Sequence, residues 1–488
     1  MAEGKDKNNR MRDILMSVKA IPELAQMQLN SPFPTGLVAQ YIAESQKAAL
    51  PEEVLDLAKR HFLDTFASLI VSSRLKPAKL AQDFALFHGG NAGPAHLLTT
   101  NRTTRLLDAV FANAITAHAA EINDFCPSAF VQPGPPVIST VFAIGELIKA
   151  SGEEILRAMI AGYEMACRFP KALGIENLRT AGLSSHGVGP TFGAACAAAS
   201  LLKLSEEQIR YVLAYCVQQA SGSFNWIRDE EHVEKAFLFA GMPARNGATA
   251  ALLVHHGFTG VSEPFAGSPN WLLNSTFIGP DSDIDKERLV RNLGVEFELP
   301  LVGYKRYPVG GPIQPSVEGL LKLIQIVDRR DIVKVDIRMP GQPDIFYNSI
   351  MPALNLPYLA AVILEDGDLT FDTAQSHERM VTPSIQKKMK SVSLSYDPKQ
   401  EREPRAESAI VEITLKNGSR ENIFVEHVLG FPERPMSRED VETKALGLIV
   451  PVIGIGKANK LVDMSRHLDE VKDIQTIIPL LMPKAEEE

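Results

Sequence analysis

The run Gly193-Ala194-Ala195-Cys196-Ala197-Ala198-Ala199-Ser200 constrains the fold more than any other stretch of this chain. Eight small side chains in succession let a helix axis come very close to its neighbours. Such a segment therefore reads as a helix buried on several sides. Ala109 to Ala120 has the same character. Between Thr35 and about Gly257 the apolar spacing is helical almost throughout. Val54, Leu55, Ala58, Phe62, Phe66 and Ile70 follow the three-and-four rule. Pro51 suits the start of that helix, where its missing N–H costs nothing. Ser205-Glu206-Glu207-Gln208 reads as a capping box opening another.

Near Glu296 the period changes. Val333, Val335, Ile337 and Met339 alternate with polar residues, as do Val392, Leu394 and Tyr396, and Ile410, Val411, Ile413 and Leu415. These are strands, and Asn417-Gly418 suits a hairpin turn. Helical stretches at Val317–Val327 and Leu354–Leu364 lie among them, and helix resumes after Pro432 (438–448 and 457–471). The expected fold is mainly α. It comprises a flexible leader over 1–30, a large all-helical domain over 31–296 and 433–488, and a smaller α+β lid domain over 297–432. The 488 residues suit two or three domains at about 150 each.

Lys and Arg number 50 against 59 Asp and Glu, a net charge of −9. That sign disfavours sequence-blind binding to nucleic acid or anionic membrane, so an anionic ligand needs a local cluster of cations. No apolar run reaches about 18 residues. Four cysteines without a C-x-x-C spacing suggest neither zinc nor a dithiol motif. The leader mixes acids with bases and has no secretory apolar stretch. A cytoplasmic protein without metal is the expectation, and the acidic tail 486–488 reads as solvated.

No Walker A, H-E-x-x-H or G-x-S-x-G sequence is present. Gly187-Val188-Gly189-Pro190 lacks the glycine spacing of a dinucleotide turn, and Pro190 removes a phosphate-facing N–H. Four patches remain. Glu121-Ile122-Asn123-Asp124 closes a buried helix just before Gln132-Pro133-Gly134. Ser184-Ser185-His186 precedes the small-residue helix, whose N-terminus suits a carboxylate. Arg228, His232 and Lys235 stand four and three apart and would share one helix face, beside Trp226 and ahead of Arg245. Tyr304-Lys305-Arg306-Tyr307, with Gln314-Pro315 behind it, lies at the expected domain junction, a favoured place for small-molecule sites.

Across these patches, and from Pro51-Glu52-Glu53-Val54 to Leu356-Pro357-Tyr358 and Arg434-Pro435-Met436-Ser437, the chain resembles the MmgE/PrpD family. That family includes 2-methylcitrate dehydratase, cis-aconitate decarboxylase and iminodisuccinate epimerase. The resemblance implies a helical domain, a smaller lid, a cleft between them and usually a homodimer. It also implies proton transfer next to a carboxylate with no cofactor. Lys305 and Arg245 match the family directly, and Lys235 lies one residue early. Asn123-Asp124 stands where two Asp residues are usual, so only Asp124 matches. Gln132 and Gln314 occupy slots that hold His in the family, and the third family His falls nearest Ser184, two places before His186. Gln cannot exchange protons near neutral pH, so Gln132 and Gln314 can only bind or orient.

Proton transfer is thus expected from Asp124, His186, His232, Lys235 or Lys305. Binding is expected from Asn123, Gln132, Arg228, Arg245, Arg306 and Gln314, the arginines by paired bonds to carboxylate. The expected activity is a cofactor-independent lyase, a dehydratase or decarboxylase, acting on a small di- or tricarboxylate. An isomerase or epimerase, or an inactive ligand-binding protein, are the alternatives.

Overall fold

A computed structural model describes residues 34–266, 284–402 and 407–484. The leader over 1–30 and the tail at 486–488 lie outside the described residues. The first part of the chain is helical: α1 (Pro34–Glu44), α2 (Glu52–Ser72), α3 (Lys76–Gly89), α4 (Leu106–His118), α5 (Gly134–Ile148), α6 (Gly152–Leu173), α7 (Ser185–Leu201), α8 (Glu206–Gln219), α9 (Val233–Ala236) and α10 (Met242–His255). Only a two-stranded ribbon, β1 (Ala95–Leu97) with β2 (Arg102–Thr104), interrupts the sequence between α3 and α4.

Local signals explain several of these elements. Helix α2 starts behind Pro51 with Glu52 and Glu53 in its first turn, where the positive dipole end favours acids. It buries Val54, Ala58, Phe62, Phe66 and Ile70. Ser151 and Glu154 form a reciprocal capping box on α6, and Ser205 and Gln208 do so on α8. Helix α7 is buried along its whole length and packs against α5, α6 and α10. The close approach depends on glycine. A Cβ at Gly193 would stand 2.6 Å from Ala166 Cβ and 2.7 Å from the Gly162 carbonyl oxygen. Gly187 and Gly189 are likewise packing residues, each facing a carbonyl oxygen, of Ser221 and Ala166 respectively.

The α+β part has its own core, from Val309 to Ile413. Four strands are ordered β4-β3-β5-β6: β3 (Ile332–Met339), β4 (Val392–Tyr396), β5 (Ala409–Leu415) and β6 (Arg420–Val425). Strands β3 and β4 run parallel; the other two pairings are antiparallel. Helix α11 (Gln314–Leu323) packs on β5 and β6, and α12 (Leu356–Asp366) packs beside α11. The alternation in β3 fails at its start. A register irregularity between Ile332 and Lys334 turns Val333 out to solvent, while Val335, Ile337 and Met339 stay buried.

The chain then returns through α13 (Arg438–Ile453), which lies on α2, and α14 (Ile455–Arg466). Ala445, Ile449, Leu461 and Ile477 join the core of the first helices. The entry and exit segments of the α+β part run together. Phe125 and Gly303 exchange backbone hydrogen bonds of 3.0 and 2.8 Å, and the Tyr304 N–H donates to the Gly430 oxygen at 2.7 Å. Among the described residues no helix is long and apolar enough to cross a membrane.

Candidate active site

Helix α4 ends at His118, and the chain turns sharply at Glu121, whose φ is +57°. Left-handed backbone is costly for such a residue, by about 1–3 kcal/mol, and such residues concentrate at functional sites. Here the turn points the carboxylate inward, 2% exposed. Lys305 Nζ meets Glu121 Oε2 at 3.0 Å, and Lys235 Nζ pairs with Oε1. Two ammoniums from distant parts of the chain thus share one buried carboxylate. Gln132 braces them: its Oε1 accepts from Asn123 Nδ2 at 2.9 Å and from Lys305 Nζ at 3.3 Å. Its Nε2 donates to Glu121 Oε2 at 3.4 Å. His118 Nδ1 and Asn123 Oδ1 are 3.0 Å apart.

The spacing of Arg228, His232 and Lys235 predicts one helix face, and the structure differs. A 3-10 helix, Phe224–Arg228, stops at Asp229. The Asp229 carboxylate accepts from the Glu231 N–H at 3.1 Å and the Lys235 N–H at 2.7 Å, forming a local turn that competes with helix. His232 is left-handed, with φ of +60°. Short α9 then runs into a π-helix, Phe237–Gly241, ahead of α10. Arg228 is left on the surface, bonded to Asn225 Oδ1 at 2.7 Å. His232 and Lys235 go inward. His232 Nε2 lies 3.1 Å from the His118 oxygen, and His232 Nδ1 and His118 Nε2 each face Glu121 Oε1 at 3.9 Å.

The π-helix also inserts Phe239 between two imidazoles. His186 stacks on its ring at 3.7 Å between centroids and His118 at 5.0 Å, while Trp226 meets it edge-on. The Lys235 ammonium lies 5.1 Å from the Phe239 ring and 5.2 Å from that of Trp226, a cation–π arrangement. Ser184 stands at the N-cap position of α7, but its Oγ accepts from Trp226 Nε1 at 3.2 Å rather than from the helix. Ser185 Oγ donates to the Phe130 oxygen at 2.6 Å. His186 follows in the first turn, buried, with neither ring nitrogen hydrogen-bonded.

Burial dominates the electrostatics. It drives His118 and His186 well below the usual imidazole range and His232 down to about 4, with Lys235 opposing protonation of all three. Burial also lowers Lys305, against the pull of Glu121. For Glu121 itself burial acts upward, but Lys235 and then Lys305 outweigh it and hold the carboxyl well below the usual range. The cluster therefore contains charged lysine–glutamate contacts among neutral imidazoles.

Asp124 points the other way. Its Oδ1 accepts from the Gly134 N–H at the start of α5 at 3.0 Å, and its Oδ2 accepts from the Tyr163 hydroxyl at 2.6 Å with His61 Nδ1 at 3.2 Å. Gly134 is required there, since a Cβ would stand 2.7 Å from Asp124 Oδ1. Nearby, Lys444 bonds Asp64 Oδ1 at 2.6 Å and the Ile122 oxygen at 2.9 Å. Gln314 is bound within its own loop, accepting from the Tyr307 N–H and donating to the oxygens of Tyr307 and Val309. Arg245 on α10 and Arg306 beside Lys305 are half-buried. Among the described residues, none of Arg228, Arg245 and Arg306 forms an ion pair with Glu121.

Sequence reasoning put Glu121 in a candidate patch without a role and passed over His118; the structure puts both at the centre. The available signal was His118-x-x-Glu121 across the end of a buried helix, three residues apart on one face. His118, Glu121 and His232 bring donor atoms within 4.8 Å of one another, as do Cys126, Cys167 and Glu298. At the first set a divalent ion would face the two ammoniums already on Glu121, which opposes binding there.

Residues 37–283 match the MmgE/PrpD N-terminal domain and residues 307–470 the MmgE/PrpD C-terminal domain. The chain belongs to the MmgE/PrpD family. Relatives are distant but extend over most of the chain. The cis-aconitate decarboxylase-like protein oryM of Aspergillus oryzae is 21% identical over 482 residues, covering 92% of this chain and 97% of that protein. Human cis-aconitate decarboxylase is 22% identical over 454 residues, covering 88% and 91%. The mouse cis-aconitate decarboxylase is 22% identical over 400 residues, covering 76% and 78%. Glu121, His186 and Lys235 lie within the first match, and Lys305 lies between the two, just before the second.

Proposed function

We propose that this protein is a cofactor-independent lyase acting on a small carboxylic acid, and that decarboxylation is its reaction. The observation that carries the proposal is the meeting of Lys235 and Lys305 on one buried carboxylate among neutral imidazoles. The names of the distant relatives favour carbon dioxide, rather than water, as the leaving group.

Lys305 is the group placed to receive a substrate carboxylate and to supply a proton. Burial brings its pKa down from the ordinary lysine value, against the pull of Glu121, which eases proton release. As the carbon–carboxylate bond breaks, its electron pair returns to carbon, carbon dioxide leaves, and a proton completes a new C–H bond. Neutral His186, with both ring nitrogens unpartnered, is suited to accept or relay a proton. Asn123 and Gln132 hold Lys305 and Glu121 in place. Asp124 acts as a positioning residue at the base of the loop that carries Gln132. Homodimer assembly is part of the same proposal and is carried by the family resemblance; a cytoplasmic location is proposed from the cysteine pattern.

Incubation with a panel of small carboxylic acids, followed by mass spectrometry, tests the reading. A loss of carbon dioxide is expected. Loss of water would move the reaction to a dehydratase. Deuterium uptake from heavy water with no change in composition would make it an epimerase.

A further inference from the structure

We infer that Cys126 and Cys167 are a redox pair: a peroxide joins them into a disulfide, and the bond displaces the loop between Asp124 and Gln132. Both are free thiols and both are fully buried. Their Sγ atoms lie within 4.8 Å of each other and of a Glu298 oxygen. Helix α6 makes the meeting. It presents Tyr163 to Asp124 and, one turn on, Cys167 to Cys126. The pair lies just under the surface: Pro127 and Ser128 are half-buried, and Ser128 Oγ stands 3.6 Å from Cys126 Sγ.

The two thiols are unequal. A hydrogen bond from Cys167 draws Cys126 below the usual thiol range against the effect of burial, and the Lys171 ammonium adds to the pull. Burial pushes Cys167 up. Cys126 is therefore the nucleophile and Cys167 the resolving thiol. The Cys126 thiolate attacks one peroxide oxygen: an S–O bond forms, the O–O bond breaks, and the leaving oxygen takes up the thiol proton as water. Cys167 then attacks the sulfenic sulfur: an S–S bond forms, the S–O bond breaks, and a second water leaves with the Cys167 proton. The thiols lose two electrons and the peroxide gains them. Glu298 is already paired with Lys171, so a divalent ion at these sulfurs would face an ammonium, which favours the disulfide over a metal.

A disulfide holds its sulfurs about 2.05 Å apart, so its formation draws Cys126 toward α6. Cys126 and Val131 exchange backbone hydrogen bonds of 2.9 and 3.4 Å, and Gln132 follows directly. On the other side Phe125 pairs with Gly303, just ahead of Lys305. Both arms lead to the Glu121 cluster.

Peroxide treatment of the full-length protein, alkylation under denaturing conditions and peptide mapping by mass spectrometry test the inference. The Cys126 and Cys167 peptides are expected to be linked, lighter by the two lost hydrogens. Cys196 and Cys216, whose thiols burial pushes up, should be alkylated. Cys167→Ser should leave Cys126 as a sulfenic acid that dimedone captures; if that variant does not fold, the wild-type map still decides. Alkylation of both Cys126 and Cys167, or linkage to Cys196 or Cys216, overturns the inference. Turnover of whichever acid the panel identifies should fall about tenfold or more on oxidation and return with dithiothreitol. A linked pair with unchanged turnover overturns the displacement of the loop. The peptide map needs no substrate, so its outcome is separate from that of the lyase reading.

Discussion

Lys305 is completely buried, with its ammonium on Glu121 and Gln132. A methionine of similar length keeps the packing and removes the charge. Lys305→Met is expected to lower kcat by about 10²-fold or more if the residue transfers a proton, measured on whichever acid the panel identifies. A matching loss of stability, followed by thermal unfolding, would instead assign Lys305 to the scaffold. The imidazoles give a second prediction. His232 titrates near pH 6.5 in the unfolded chain and at about 4 when folded. Its folded pKa is depressed, so the unfolded state binds the extra proton. The contribution is therefore complete above about 6.5 and lost as pH falls toward 4, by roughly 3 kcal/mol at most. His118 and His186 act in the same direction. His232→Asn, whose side chain tolerates the left-handed backbone, should flatten the decline seen in urea unfolding between pH 7 and 5. An unchanged slope would remove His232 from that role.

At the scale of helices, packing depends on what is missing. Gly193→Ala inserts a methyl where Ala166 and the Gly162 carbonyl leave no space, so a loss of about 1–3 kcal/mol is expected in thermal or urea unfolding. Gly447 on α13 is the control. A Cβ there meets nothing within 4 Å, so Gly447→Ala should gain about 1 kcal/mol from helix propensity. The small-residue run made α7 legible in the sequence, as did the capping boxes and the switch to period two. His186, Lys235 and Lys305 were legible as chemistry because cations and imidazoles stood out against a negatively charged chain. The route to the cluster was not. Asp229 ends one turn and caps the next, and a π-helix follows, so a rule of four and three placed Arg228 inside. Glu121 stood in the first patch without a role, because its meaning comes from two lysines that lie 114 and 184 positions along the chain. Asp124 was singled out by its match to the family's Asp pair, and its bonds to the start of α5 and to Tyr163 could not be read from spacing.

Across the whole molecule, the segment leading into Lys305 is fixed on both sides, Gly303 by Phe125 of the helical body and Tyr304 by Gly430 at the far end of the α+β part. Gly430 has φ of +109°, and a Cβ there would lie 2.2 Å from the Tyr304 oxygen. Gly430→Ala should therefore displace Lys305 and lower kcat by about tenfold or more, since small misplacements near reacting groups are costly. The check is kcat beside the melting temperature, and a fall in the latter alone would place the strain elsewhere. Gly303 faces the same crossing: a Cβ there would stand 2.6 Å from the Gly430 oxygen. The chain enters and leaves the α+β part side by side there, so any side chain added at either crossing would wedge the two segments apart and shift the residue that follows them, Lys305.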